Sequence, residues 1–154
     1  MAVLMLVCFY ILSWEAAETA GRFIDVSGNI KADQVILVDA GHGGVDSGMV
    51  GIGGLKEKGI NLDIAMKLKT ILEKKGLAVV MTREEDKGLY ENGTKNMKAQ
   101  DLQNRIEQIR KYEPVLSVSI HQNSYNDPGV KGPQVFYYED SEGGKELALA
   151  IQEK

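Results

Sequence analysis

The sequence contains almost no cysteine. One of its 154 residues is a cysteine, and this residue, Cys8, lies inside an apolar run near the amino terminus. Disulfide frameworks and cysteine-based zinc sites are therefore excluded for the rest of the chain. Any metal bound there must be held by histidine, aspartate or glutamate side chains.

Proline is also scarce, and acidic side chains outnumber basic ones. The chain has three prolines, 44% hydrophobic residues and 26% charged residues, a composition typical of a globular protein with one core and not of a disordered tail. Its 18 basic and 22 acidic side chains give a formal net charge of -4. Such a chain offers no positive field to nucleic-acid phosphates, so we expect no nucleic-acid partner.

A continuous, largely apolar run, AVLMLVCFYILSW, covers Ala2 to Trp14. As a helix it would span about 20 Å, which is short of a hydrocarbon core of roughly 30 Å. We interpret residues 1–20 as a signal peptide or a short membrane anchor, with a buried core helix as the alternative. No Lys or Arg precedes Arg22, so the basic flank of a signal is absent, and we expect the natural start to lie upstream of Met1.

After a polar connector at residues 21–33, the apolar pattern alternates between two periods. Short apolar runs predict strands at QVILVD (34–39), LAVVMT (77–82) and VLSVSI (115–120). Apolar residues at three- and four-residue steps predict helices through Ala65, Leu68 and Leu72, ending at Gly76, and through Ala99, Leu102, Ile106 and Ile109. The aromatic residues of QVFYY (134–138) are interpreted as strand packing, and GGKELALAIQEK begins a last helix.

Strands joined by helices of this length predict right-handed crossovers. We therefore expect an α/β fold: a single domain at residues 34–154 with a mostly parallel twisted sheet and helices on both faces. In such sheets, ligands bind beyond the carboxyl ends of the strands.

Both histidines of the chain follow predicted strands. His42 comes after the first strand in VDAGHGG, and His121 follows the third strand in SVSIHQN. Glu57 begins the first helix, so it lies at the same end of the predicted sheet. Two histidines and one carboxylate leave a fourth zinc position open for water, which is the arrangement of a hydrolytic site.

Each of these residues also has a simpler interpretation. A histidine at a strand end is commonly a hydrogen-bonded surface residue. A carboxylate in the first turn of a helix is favoured by the helix dipole. The glycines around His42 can serve turns that need a positive φ.

Two other chemistries fit the pattern poorly. The glycines at positions 41, 43, 44 and 48 match neither the dinucleotide fingerprint nor the P-loop, which argues against a phosphate cradle. The serine-hydrolase motif G-x-S-x-G is absent, and Ser47 and Ser119 have no evident dedicated base. A zinc hydrolase remains.

Several segments resemble the zinc N-acetylmuramoyl-L-alanine amidases of bacterial cell walls. They are VDAGHGGVDSG, LKEKGINLDIAMKL, VVMTREED, LSVSIHQNS and GPQVFYY. The resemblance extends from about Gln34 to the last residue. The segment ENGTKNMKAQDLQNRIEQI is similar to the spore-cortex, germination-specific branch of this family.

The resemblance implies that His42, Glu57 and His121 are the zinc ligands. Asp39 and Asn123 also match motif positions, and we interpret them as residues that organise the ligands or their loops. Ala40 stands where many members have proline, while the ligand and its glycines remain.

The implied reaction is hydrolysis of the amide between N-acetylmuramic acid and L-alanine in peptidoglycan, with a role in spore cortex maturation. The implied cofactor is zinc, and the implied partners are peptidoglycan, the membrane through the amino-terminal segment, and a regulatory protein. The implied location is outside the cytoplasmic membrane, exported or anchored.

The family also uses a second glutamate, on a strand near the carboxyl terminus, as its general base. We expect this residue to lie beyond Lys154, so the sequence leaves the catalytic base unassigned and the domain without its carboxyl-terminal part. The loop carboxylates Asp46, Glu85 and Asp127 are substitutes that no motif supports. The alternative function is a catalytically inactive wall-binding or partner-binding module on the same fold.

Overall fold

The computed structural model describes residues 35–124, 127, 129–130 and 132–154. The signal or anchor expected at residues 1–20 and the connector at 21–33 lie outside the described residues. Within the described ranges, no helix combines the length and the apolar character that crossing a membrane requires.

Three parallel strands form the sheet, and each matches a predicted strand. They are β1 (Val35–Ala40), β2 (Ala78–Met81) and β3 (Leu116–Ile120), in the spatial order β2-β1-β3. Every residue of the central strand β1 is buried. A parallel strand covered on both faces needs apolar side chains on both, which explains the apolar run from Val35 to Val38.

The helices also occur where the apolar periodicity places them. They are α1 (Glu57–Lys74), α2 (Met97–Tyr112) and α3 (Glu142–Gln152), and a short 3-10 helix (Ile52–Gly54) precedes α1. Gly76, with φ of 80°, follows the end of α1. The Asn96 side chain caps α2 by accepting a hydrogen bond from the Ala99 N–H at 3.2 Å.

The two sides of β1 contact different helices. Ile36, Val38 and Ala40 pack with Ala65 of α1 in the core, whereas the intervening Asp39 forms an ion pair with Arg105 of α2. Because alternate residues of a strand point to opposite faces, α1 and α2 lie on opposite faces of the sheet. The expected α/β architecture is confirmed.

The chain divides into two compact units, and the boundary lies between Gln122 and Asn123. The first unit contains the sheet, α1 and α2, and the second contains α3.

The strand predicted at 134–138 is not formed, so this prediction is wrong. In the second unit, the Val135 N–H donates to the Gln152 side chain at 3.1 Å, and Gln152 Nε2 donates to the Pro133 carbonyl at 2.9 Å. The side chains of Phe136 and Tyr138 are exposed. A side chain of α3 thus satisfies backbone groups that a neighbouring strand would otherwise pair.

Candidate metal centre

His42 lies in the loop that leaves the carboxyl end of β1. Its φ of 62° is positive, which is uncommon for a residue with a side chain and indicates a constrained turn. Its Nδ1 lies 2.9 Å from Asp46 Oδ2, and its Nε2 lies 3.2 Å from Glu57 Oε1. The Asp46 contact therefore occupies one ring nitrogen and turns the other toward Glu57.

Glu57 is the first residue of α1, and it is 4% exposed. Its Oε2 accepts a hydrogen bond from the Met49 N–H at 2.8 Å, and its Oε1 accepts one from the Gln122 N–H at 2.9 Å. Burial raises the pKa of Glu57, but these two bonds and one from the Asn61 amide outweigh it and lower the pKa to about 2. The carboxylate is thus ionised at neutral pH, as a metal ligand must be.

His121 follows β3 directly. Its Nδ1 lies 3.1 Å from Glu57 Oε1, and its ring meets the His42 ring edge to face at 4.9 Å between centroids. About half of its side chain, 51%, is exposed. His121 therefore contacts both other candidate ligands, and solvent reaches the group on the His121 side.

The structure brings together all three residues that the sequence singles out. One potential ligand atom from each of His42, Glu57 and His121 lies within 4.8 Å of the others. Two imidazole nitrogens and one ionised carboxylate form a donor set that suits zinc. The carboxylate of Asp46 on the far ring nitrogen of His42 is the outer contact that metal-binding histidines usually have, so the residues present fit this metal.

Asn61 and Gln122 contact the same group, and the sequence analysis missed both. Asn61 Nδ2 donates to Glu57 Oε1 at 3.3 Å and to the Gly41 carbonyl at 3.2 Å. The Gln122 side chain donates to Asn61 Oδ1 at 3.2 Å. Asn61 lies four residues after Glu57 on α1, and residues at that spacing share a helix face, so this signal was present in the sequence.

Two glycines make room for the side chains of the centre. A Cβ on Gly41 would lie 2.3 Å from the His121 ring, and one on Gly48 would lie 2.6 Å from both Glu57 Oε2 and His42 Cδ2. Gly48 also has a φ of 63°, as expected from the interpretation of these glycines as turn residues. Space is therefore the reason for glycine at position 41 and a second reason at position 48.

The two residues interpreted as organisers differ in their contacts. Asp39 accepts hydrogen bonds from Thr82 Oγ1 at 2.8 Å and from Ser119 Oγ at 2.9 Å, and so joins all three strand segments. Asn123, in the second unit, accepts from the Ser124 N–H at 2.9 Å and donates to Gln134 at 3.0 Å. Its contacts organise its own loop.

Each loop carboxylate considered as a substitute for a base contacts another protein group. Asp46 contacts His42, as described above. Glu85 pairs with Lys87 at 2.7 Å, and its side chain is 69% exposed. Asp127 accepts a hydrogen bond from the Gly129 N–H at 2.8 Å.

Two buried arginines, Arg83 and Arg105, donate to the backbone just before the first ligand. Arg83 reaches the Ala40 and Gly41 carbonyls, and Arg105 reaches the Ala40 and His42 carbonyls. Neither arginine was predicted from the sequence to support the site. Their backbone acceptors are distant in sequence and leave no signal in side-chain patterns. Arg105 also contacts Asp101, four residues earlier on α2, at the spacing of a shared helix face.

Comparison with known proteins identifies a family for this chain. Residues 36–154 match a family described as N-acetylmuramoyl-L-alanine amidase. The chain is similar to the germination-specific N-acetylmuramoyl-L-alanine amidase of Bacillus subtilis, with 39% identity over 79% of the chain and 52% of the relative. It is also 30% identical to the N-acetylmuramoyl-L-alanine amidase AmiA of Escherichia coli, over 79% of the chain and 38% of the relative. The chain thus spans about half the length of the curated relatives it matches, or less.

Solved structures give the same result. The CwlD amidase of Clostridioides difficile, solved in complex with the GerS lipoprotein, aligns with a TM-score of 0.74 and 38% identity over 79% of this chain and 64% of that one. The catalytic domain of CwlV, an N-acetylmuramoyl-L-alanine amidase from Bacillus (Paenibacillus) polymyxa, aligns with a TM-score of 0.64 and 32% identity over 78% of this chain and 61% of that one.

Proposed function

The chain belongs to the N-acetylmuramoyl-L-alanine amidase family, and from this premise we propose that the protein is a zinc-dependent hydrolase of peptidoglycan. It cleaves the amide between N-acetylmuramic acid and the L-alanine of the stem peptide. The observation that carries this proposal is the convergence of His42, Glu57 and His121 from three separate segments. Family membership and the donor set point to the same chemistry.

The residues of the centre have distinct roles in this proposal. His42 through Nε2, Glu57 through its carboxylate and His121 hold the metal, and Asp46 fixes the ring orientation of His42. Zinc held by these residues would lower the pKa of a water molecule and polarise the amide carbonyl. The hydrogen bonds on Glu57 keep its carboxylate charged and oriented.

Similarity to a germination-specific relative supports a narrower role. The protein acts on the peptidoglycan of the spore cortex, outside the cytoplasmic membrane. The Clostridioides difficile amidase was solved in complex with a lipoprotein, which supports a regulatory protein partner here as well.

Residues 1–20 carry the signal or anchor in this proposal, because their apolar run fits export better than a folded core. Cell fractionation tests this role. We expect the protein with its natural start in the membrane or extracytoplasmic fraction, and a variant without residues 1–20 in the cytoplasm. Identical cytoplasmic location of both would contradict it.

Metal analysis tests the ligands. We expect purified protein to bind one zinc and His42→Ala, His121→Ala and Glu57→Gln to lose it, because each change removes one of three donors. Glu107→Gln is the matched control for Glu57→Gln, since Glu107 is an exposed residue of α2. Full zinc retention in any of the three variants would remove that residue from the site.

Stem-peptide release tests the reaction. The protein, expressed from its complete reading frame, is incubated with purified cortex peptidoglycan, and new L-alanine amino termini are counted. We expect release that chelators abolish and that Glu57→Gln lacks. Zinc binding with no release would instead support the alternative of an inactive wall-binding module.

A further inference from the structure

Arg83 lies two residues after the end of β2 and is buried, with 2% of its surface exposed. Its guanidinium group donates to four backbone carbonyls and to no carboxylate among the described residues. The acceptors are Ala40 at 2.9 Å, Gly41 at 3.0 Å, Lys58 at 2.7 Å and Glu85 at 3.1 Å. This pattern uses the fixed fork of donors that distinguishes arginine from lysine.

One atom of Arg83 joins the segments that carry two of the candidate ligands. Its Nη2 donates both to the Gly41 carbonyl and to the Lys58 carbonyl. Gly41 directly precedes His42, and Lys58 directly follows Glu57. The Asn61 amide also joins these segments by donating to the Gly41 carbonyl and to Glu57 Oε1, but the guanidinium bridge joins them through backbone carbonyls alone.

Burying the Arg83 guanidinium costs free energy that an apolar side chain would not. Burial lowers the pKa of Arg83, as expected for a cation removed from water without a directly bonded carboxylate. An apolar side chain of similar size would avoid this cost but would leave the Gly41 and Lys58 carbonyls without this donor. The buried guanidinium therefore keeps the Gly41 and Lys58 carbonyls hydrogen-bonded although its charge is removed from water.

Arg105 provides a comparison within the same protein. It is also buried and donates to the His42 carbonyl at 2.8 Å, but it pairs with the carboxylates of Asp39 and Asp101. Among the described residues, none of its hydrogen bonds reaches the segment that begins α1. Of the two arginines, Arg83 is the one that links both ligand segments.

We propose that Arg83 is a positioning residue for the metal centre: by bridging the Gly41 and Lys58 carbonyls, it sets the spacing between His42 and Glu57. This inference rests on the proposed function, because it concerns the same three ligands. Arg83 acts only through the backbone and touches neither ligand side chain.

The test measures metal binding separately from folding. Arg83→Lys keeps the charge and removes the fork, and Arg83→Gln removes the charge and keeps two donors on one nitrogen. We expect both variants, in the full chain, to bind Zn²⁺ about 10- to 100-fold more weakly, as is typical when an outer partner of a ligand is lost. We also expect an altered visible absorption spectrum of the Co²⁺-substituted protein, since its bands report ligand geometry.

Leu72→Ala is the control for stability. Leu72 packs against the core near the far end of α1 from Glu57, so the variant loses packing without changing the bridge. With unfolding measured in the presence of a chelator, we expect Leu72→Ala to lose stability but to keep Zn²⁺ affinity within about twofold of the unsubstituted chain.

Two results would overturn the proposal. One is a folded Arg83→Lys or Arg83→Gln with wild-type Zn²⁺ affinity and Co²⁺ spectrum. The other is a loss of affinity in Leu72→Ala equal to that in the Arg83 variants, which would make the effect one of stability alone. If the unsubstituted chain bound no metal, the proposed function itself would fail, and that outcome is distinct from both.

Discussion

The backbone at Gly48 passes very close to two of the candidate ligands. A Cβ there would lie 2.6 Å from Glu57 Oε2 and from His42 Cδ2. Neither atom can move away without disturbing the centre, because Glu57 is held by two backbone N–H groups and His42 by Asp46. A methyl group at position 48 is therefore expected to displace the candidate ligands and weaken metal binding.

We expect Gly48→Ala to weaken Zn²⁺ binding by at least about tenfold, the lower range for disturbed ligand supports. Gly53→Ala is the matched control. Gly53 has a similar φ, 74° against 63°, but nothing lies within 4 Å of its Cβ position. Both variants carry the backbone strain, so equal Zn²⁺ affinity in a chelator competition assay would contradict the steric argument.

Asp86 supports the same loop through an exposed ion pair. It accepts from the Gly44 N–H at 3.0 Å and pairs with Lys58 at 2.7 Å. The hydrogen bond from Lys58 holds the pKa of Asp86 below its ordinary value of 3.8. A lowered pKa stabilises the fold above the ordinary value, and the contribution disappears as the pH falls through the pKa of the folded state.

We expect Asp86→Asn to lower the free energy of unfolding at pH 7 by no more than about 1 kcal/mol, since a half-exposed pair is screened by solvent. The difference from the unsubstituted chain should persist down to the ordinary carboxyl pKa and shrink below it. Chemical denaturation at several pH values measures this. A difference that grows on acidification would contradict the assignment.

At the scale of elements, one ion pair ties α2 to the central strand. Arg105 of α2 pairs with Asp39 of β1 and with Asp101 on its own helix. Asp39 is 8% exposed and Arg105 is 7% exposed. A buried pair of this kind contributes little net stability, but removing one partner leaves an uncompensated charge.

We therefore expect Arg105→Met to lower the free energy of unfolding by about 3 to 5 kcal/mol. Adding Asp39→Asn should recover part of this loss, because the stranded carboxylate is then neutral. A double-mutant cycle by denaturant unfolding measures the coupling between the two residues. Strict additivity of the two changes would show that the pair does not join helix and strand energetically.

At the scale of the whole molecule, the candidate ligands come from three segments far apart in sequence. They follow β1, begin α1 and follow β3. An unfolded chain would not hold these three residues together. A metal bound at this centre therefore stabilises the folded first unit by linkage.

We expect zinc at a hundred times its dissociation constant to raise the free energy of unfolding by about 2.7 kcal/mol. Thermal unfolding with zinc and with a chelator measures the shift. His121→Ala, which removes one donor, should lose most of it. An equal shift in that variant would place the metal elsewhere.

The sequence by itself predicted β1 to β3, the three helices and the placement of His42, Glu57 and His121 at one edge of the sheet. Apolar runs and three- to four-residue steps are local signals, so β1 to β3 and the helices could be read directly. Parallel strands end on one edge of a sheet, so the two histidines and Glu57 were expected close together there, and the family resemblance implied that they are metal ligands. The family resemblance, now confirmed by the family match, rests on motifs around the same residues.

Only the tertiary structure decided which groups support that site. Arg83, Asn61 and Arg105 each donate to a backbone carbonyl that another segment brings close, and any residue can supply a carbonyl, so no side-chain pattern identifies these contacts. The strand expected at 134–138 failed for a related reason. A strand exists only when a neighbour pairs with it, and there the Gln152 side chain satisfies the Val135 N–H instead.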